Sequence, residues 1–142
     1  MPYPEVMVAP MRKELTSVGV TELRNAAEVD AFFNESGEST LVLVNSVCGC
    51  AAGSARPAFK LSMAHERKPS RFATVFAGQD VDATERMRAI IGDVPPSSPS
   101  LALMKDGQLI HFVPRHLIEG RDAETIATDL KSAFDRVLPE EE

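Results

Sequence analysis

The chain has 142 residues, 44% hydrophobic and 25% charged, with a net charge of −6 at pH 7 and two cysteines. That size and balance suit one soluble domain with a core of its own. The acidic balance argues against nucleic acid as the main ligand, because phosphate binding needs a basic surface, and no run approaches the roughly 20 apolar residues that span a bilayer.

The opening MPYPEVMVAP has two early prolines, an acidic residue and no basic start, so it does not read as a secretory signal, and a cytoplasmic location is expected. Cytosolic thiols are kept reduced, which favours a catalytic or metal-binding cysteine pair over a structural disulfide. One domain is expected over residues 1–142: an N-terminal extension at 1–39, a core at 40–138 and a short acidic tail at 139–142.

Val8, Met11 and Leu15 lie at helical spacing, with Pro10 predicting a kink or a late start. Asn25 is a candidate N-cap with Glu28 three positions on, followed by an apolar face of Val29, Phe32 and Phe33 and a stop at Gly37. Residues 40–45 form a continuous apolar, partly β-branched run and read as a buried strand. A helix is expected within 50–65, with Ala52, Ala55, Phe59 and Met63 on its inner face, then a second strand at 71–77. Ala83, Met87, Ile90 and Ile91 mark a further helix, capped by Asp80 or Asp82 and ended by Gly92 and Pro95-Pro96. Residues 100–104 and 108–113 are short strands joined by Lys105-Asp106-Gly107, a hairpin signal that predicts antiparallel pairing. Asp122 caps a last helix with Ile126, Leu130, Ala133, Phe134 and Val137 facing inward.

The order from residue 40 is β-α-β-α-β-β-α. Strands joined through a helix pair in parallel, and a final hairpin adds an antiparallel edge. The expected fold class is therefore α/β, thioredoxin-like, with an N-terminal helical extension.

Cys48-Gly49-Cys50 falls directly after the first core strand, at the start of the following helix. Free N–H groups and the helix dipole there favour an anion and lower a thiol's pKa. Cys48, first and nearer solvent, is the expected nucleophile. Cys50, partly covered by the helix, is the expected resolving thiol. A single intervening residue makes a tight ring, since disulfides need Cα atoms within about 4.4–6.8 Å. Gly49 supplies the backbone freedom to close it. Such a ring should be easily reduced, so the couple is expected to lie above thioredoxin's roughly −270 mV. A metal site competes with this reading, but two thiolates fill only half a zinc shell, and His65, His111 and His116 show no ligand spacing; no metal is expected. Asn45 and Ser46 end the strand beside the pair, where hydrogen bonds to the active-site loop and simple turn formation both account for them. Ser98-Pro99 immediately precedes the third core strand. A cis peptide there would turn the Ser98 backbone toward an extended substrate; an ordinary strand-initiating proline is the alternative.

Four separated segments, VNSVCGCAAGSARPA (44–58), VFAGQD (75–80), PSSPSLALMK (96–105) and HFVPRHLIEG (111–120), together with PMRKELT (10–16), resemble the bacilliredoxin family in order and spacing. The resemblance implies a cytoplasmic thiol–disulfide oxidoreductase that removes bacillithiol from S-bacillithiolated client proteins. Cys48 would take up the bacillithiol and Cys50 would be the second active-site thiol. Bacillithiol would be a co-substrate, with no other cofactor, and a further thiol or reductase would recycle the pair. Disulfide isomerase activity, a general redoxin and a thiol-based metal carrier are the alternatives, and an interaction module without catalysis is a further one. Arg56 would either favour a thiolate or a carboxylate of bacillithiol, or be a solvated helix residue. Pro57 would either begin the regular helix or kink it. Against thioredoxin itself, Val47 stands where a tryptophan precedes the first cysteine. Val42 maps to the buried acid six residues before it. Both departures argue against broad dithiol reductase activity.

Overall fold

The computed structural model describes residues 3–34 and 38–138. Gly37 and the acidic tail at 139–142 lie outside them. The elements are α1 (Glu5–Thr16), β1 (Thr21–Glu22), α2 (Ala26–Phe33), β2 (Ser39–Asn45), a π-helical turn (Ala51–Ala55) running into α3 (Arg56–Ser62), β3 (Arg71–Phe76), α4 (Val81–Ile91), β4 (Ser100–Lys105), β5 (Gln108–Val113), a short 3-10 turn (Arg115–Leu117) and α5 (Ala123–Val137). The strands form one sheet in the order β1-β3-β2-β4-β5. β1, β3 and β2 run parallel, and β4 and β5 are antiparallel additions.

The expected core order is present, and the fold is α/β and thioredoxin-like. The first forty residues are more than a helical layer, because Thr21 and Glu22 pair with Ala73 and Thr74 and extend the sheet by one edge strand. Two residues are too short for a period-2 pattern to reveal.

β2 is buried along its whole length because both sheet faces are covered. Leu41 and Leu43 join Leu101, Leu103, Phe59, Ile126, Leu130 and Phe134 in a core beneath α3 and α5. Val42 and Val44 join Val29, Ala83, Met87, Ala102 and Met104 beneath α2 and α4. Alternate side chains of a strand leave opposite faces, so one apolar run feeds both cores.

Local chemistry sets the element ends. Asn25 accepts the Glu28 N–H at 2.9 Å, while the Glu28 carboxylate turns to the Arg24 N–H at 2.7 Å, so only half of a capping box forms. Asp122 accepts the Thr125 N–H at 2.8 Å. The β4–β5 hairpin turns through Asp106 at φ 53° and Gly107 at φ 75°, the left-handed pair that a two-residue hairpin requires.

Several expectations are corrected. α1 runs through Pro10, which lies on its exposed face. The acceptor left without its N–H is the Val6 carbonyl, on a residue 83% exposed, where water can serve it. Asp80 stands at the N-cap of α4 without capping it. Its carboxylate is drawn to Arg12 instead, at 2.6 and 3.0 Å. Arg12 is buried and also binds Glu5 and Glu22, both at 2.8 Å, which ties α1, β1 and the β3–α4 loop together. Burial disfavours its charge, but the three carboxylates outweigh that and hold it protonated. At the other end, Val137 is exposed and Leu138 buried, because the chain leaves helical geometry at Leu138 and swings that side chain inward.

Candidate active site

The site begins where β2 ends. After Asn45 the chain turns through Ser46 and Val47, and both N–H groups of Ala51 and Ala52 close onto the Cys48 carbonyl, at 3.1 and 3.2 Å. Both cysteines are free and half-buried, and their sulfurs are 2.8 Å apart. The helix that follows is not regular at its start. Residues Ala51–Ala55 form a π turn, closed by the Arg56 N–H on the Ala51 carbonyl. Pro57 lacks the N–H that would bond the Gly53 carbonyl, and the widened turn falls just ahead of it. Pro57 therefore begins the regular helix rather than kinking it. The extra residue also shifts the helical phase, so that Ala51 is buried and the expected Ala52 is exposed, while Ala55 and Phe59 keep their inward positions.

Ser46 accepts the Cys48 N–H at 3.2 Å and donates its hydroxyl to the Cys48 sulfur at 3.1 Å. Asn45 accepts the Ser46 N–H at 2.9 Å. Arg56 locks this loop from behind. One of its terminal nitrogens donates to the Asn45 side-chain oxygen at 2.9 Å and to the Ser46 carbonyl at 3.0 Å, and its Nε donates to Glu14 at 2.8 Å. Glu14 in turn pairs with Lys60 at 3.0 Å. At 3% exposure Arg56 is neither a solvated helix residue nor a ligand for a carboxylate arriving from solvent. It holds the loop that leads into the cysteine pair. Glu14, its partner on α1, carried no local signal; only the tertiary approach of α1 to α3 brings it there.

The two thiols are pushed in opposite directions. Partial burial raises Cys48, but the Cys50 thiol, the Ser46 hydroxyl and the backbone N–H groups of Ala51 and Cys50 more than offset this and bring it down to about 7. Burial raises Cys50, and the neighbouring Cys48 sulfur raises it further, against a partial pull from Arg115. Near pH 7 about half of the Cys48 thiols are therefore ionised while Cys50 keeps its proton, so the charge that the pair carries sits on Cys48.

Gly49 is exposed, its φ is outside the left-handed region, and an added Cβ would meet nothing within 4 Å. The reduced loop does not itself require glycine; the need expected for it belongs to closure of the disulfide. Beneath the pair, Cys50 packs on the core that contains Leu41 and Leu43, while Val42 faces the opposite core. None of the buried polar side chains among the described residues is a carboxylate. No buried carboxylate stands beneath the pair among the described residues, and the Val42 position mapped to that acid faces away from it.

The Ser98–Pro99 peptide is cis and Pro99 is buried. Ser98 offers less free backbone than expected, because its carbonyl accepts from Arg115 at 3.1 Å. Arg115, missed from the sequence, is held by its own N–H on the Ser97 hydroxyl at 2.6 Å and faces Glu119 at 3.4 Å. Among the described residues no group of three or more His, Cys, Asp or Glu gathers to hold a metal, and no helix is long and apolar enough to cross a membrane.

A low-pKa thiol beside a higher-pKa thiol on this sheet defines the class: a thiol redox protein of thioredoxin-like fold. A family described as disulphide isomerase matches residues 3–138. The chain is 56% identical over 144 residues to a bacilliredoxin of Salinibacter ruber, covering 100% of this chain and 85% of that one. It is 48% identical over 135 residues to a bacilliredoxin of Bacillus cereus, covering 94% of each. The chain belongs to this bacilliredoxin family. Among solved structures it is similar to mitochondrial thioredoxin 3 of Saccharomyces cerevisiae, at TM-score 0.58 and 20% identity, covering 87% of this chain and 99% of that one. Malassezia sympodialis thioredoxin aligns at TM-score 0.56 and 15% identity, over 83% and 90%. At such identities these two likenesses concern the fold alone.

The Ser46 hydroxyl provides a graded test. A hydrogen bond to a charged group is worth about 1.5 kcal/mol or more, near one pKa unit. Ser46→Ala should therefore raise Cys48 by about one unit from about 7. At pH 7 the thiolate fraction falls about fivefold, while the more basic sulfur regains about threefold in nucleophilicity. Iodoacetamide labelling of Cys48 should be about twofold slower than wild type at pH 7 and about threefold faster at pH 9. Parallel profiles that never cross would show that Ser46 does not tune the sulfur.

Proposed function

We propose that the chain removes bacillithiol from S-bacillithiolated proteins by thiol–disulfide exchange. The observation that carries this reading is the asymmetry of the pair, a Cys48 thiolate poised 2.8 Å from a protonated Cys50. The Cys48 thiolate attacks the bacillithiol sulfur of the mixed disulfide. A Cys48–bacillithiol disulfide forms, and the client sulfur leaves as a thiolate that takes a proton from solvent. Cys50 then loses its proton and attacks the Cys48 sulfur. The internal disulfide forms, and bacillithiol departs as a thiolate. Each step conserves the oxidation level, so a separate thiol or reductase must reopen the pair. The apolar floor beneath Cys50 offers no buried carboxylate to take its proton, which suits a protein that relays a small thiol better than one that reduces many disulfides. The tight Cys48–Cys50 ring fits a couple above thioredoxin's roughly −270 mV.

Trapping tests the proposal. Cys50→Ala removes the resolving thiol and also one donor to the Cys48 sulfur, so the reaction is best run near pH 8. Incubated with an S-bacillithiolated protein, this variant should accumulate bacillithiol on Cys48, seen by mass spectrometry, as the client thiol is released. Clean reshuffling of scrambled disulfides with no bacillithiol adduct would replace this reading with that of an isomerase. Stoichiometric metal retention by the reduced wild type would replace it with that of a carrier.

A further inference from the structure

Beside the cis Ser98–Pro99 peptide lies an open cavity of about 400 Å³, lined by Arg88, Ser97, Ser98, Arg115, His116 and Glu119 among others. Its charges are unevenly satisfied. Arg115 is spoken for in part, by the Ser98 carbonyl at 3.1 Å and by Glu119 at 3.4 Å. With 43% and 53% of the two side chains exposed, that ion pair is weak and readily exchanged. Arg88, from α4, has no hydrogen bond or ion pair for its guanidinium among the described residues, and its Nε is buried without a partner. The Nε is closed off from solvent, so a ligand oxygen would meet the terminal nitrogens of this guanidinium, which no described residue bonds. The cavity is also within electrostatic reach of the thiols, since Arg115 and Glu119 both act on Cys50. Its volume falls within the usual range for small-molecule sites, roughly 300–1,000 Å³.

We infer that this cavity seats the carboxylate end of a low-molecular-weight thiol, with Arg88 and Arg115 as its anion contacts, while the sulfur end reaches Cys48. The inference rests on the exchange reading above and adds the chemistry by which the site selects its thiol. Two guanidiniums against one carboxylate leave the cavity a net cation within a chain of net charge −6. The molecule as a whole repels a small anion, so a preference for an anionic thiol has to come from this local site. Planar guanidiniums suit carboxylate oxygens, which a point charge would hold less specifically.

The test compares two probe disulfides on the Cys50→Ala variant, the carboxylate-bearing dithiodipropionate and the neutral hydroxyethyl disulfide. In each case Cys48 forms a mixed disulfide with one half of the probe and releases the other half as a thiolate, so rates can be followed by mass spectrometry. The carboxylate probe should react about tenfold faster than the neutral one, a charge-assisted contact's worth of selectivity. Adding Arg88→Met should bring the ratio of the two rates close to one, and Arg88→Lys should keep part of it. Because the Arg88 guanidinium has no partner among the described residues, the methionine variant loses none of the bonds seen there. A ratio at or below one with Arg88 in place would overturn the inference, as would a ratio that Arg88→Met leaves unchanged. If neither probe modifies Cys48, the exchange reading itself fails, and the cavity assignment falls with it.

Discussion

Cys48→Ala is expected to slow the first thiol exchange at pH 7 by at least about fivefold and to abolish closure of the internal disulfide. Wild-type Cys48, brought down to about 7, is about half ionised at that pH. Cys50 starts from an ordinary value of 9.0, where a thiol is about 1% ionised at pH 7, and the burial that raises it stays in the variant although the Cys48 sulfur is gone. The loss of thiolate therefore costs about fiftyfold, of which the more basic Cys50 sulfur regains less than tenfold. Nor does Cys50 have the Ser46 hydroxyl that serves Cys48. Stopped-flow exchange with a model disulfide, read beside Cys50→Ala, separates the two roles. Cys50→Ala, read near pH 8 to offset its lost donor to Cys48, should keep the first step and stall after it. A Cys48→Ala protein that exchanges as fast as wild type would reverse the assignment.

Arg56→Met should be the most damaging substitution for stability near the site, by about 2–4 kcal/mol. Its guanidinium is buried and serves Glu14, Asn45 and Ser46 at once. Methionine fills similar volume but leaves the Ser46 carbonyl and one Asn45 acceptor site short of a donor. Glu14 keeps Lys60 and some solvent, which limits the loss. For a chain of this size each kcal/mol is worth roughly 3 °C in Tm, so thermal unfolding should begin on the order of 10 °C lower. Because Arg56 holds the loop that presents Ser46 to Cys48, the Cys48 titration should also move up. Arg56→Lys keeps the charge without the fork, and should recover stability more than it recovers the titration. An unchanged Tm in Arg56→Met would show that the network is incidental.

How much of this was legible in the sequence follows from the range of each interaction. Residues 40–45, the Asp106-Gly107 turn and the Asp122 cap were readable because their signals are local: apolar runs, left-handed turn residues and a capping side chain. The cysteine pair and Pro99 were readable because chain order placed them at a strand end. What was missed depends on elements meeting across the fold. Arg12 looks like a surface residue until α1, β1 and the start of α4 converge on it. Asp80 looks like a cap until Arg12 competes for its carboxylate. Arg56 was singled out, but its role was not, since Glu14 is 42 positions away in sequence. The π turn before Pro57 broke a helical phase that simple spacing assumed regular. Arg115 sits in an unremarkable loop and gains meaning only because that loop packs beside Ser98.

Attack by Cys48 requires one thiolate in a pair of thiols, and site-resolved alkylation against pH measures it directly. Reduced protein is pulsed with iodoacetamide between pH 5 and pH 10, and each cysteine is quantified by mass spectrometry. Cys48 should label first, with a midpoint of about 7, and Cys50 only above the ordinary thiol range. Cys50 labelling first, or both cysteines titrating together near the ordinary value, would contradict the assignment of attacker and resolver.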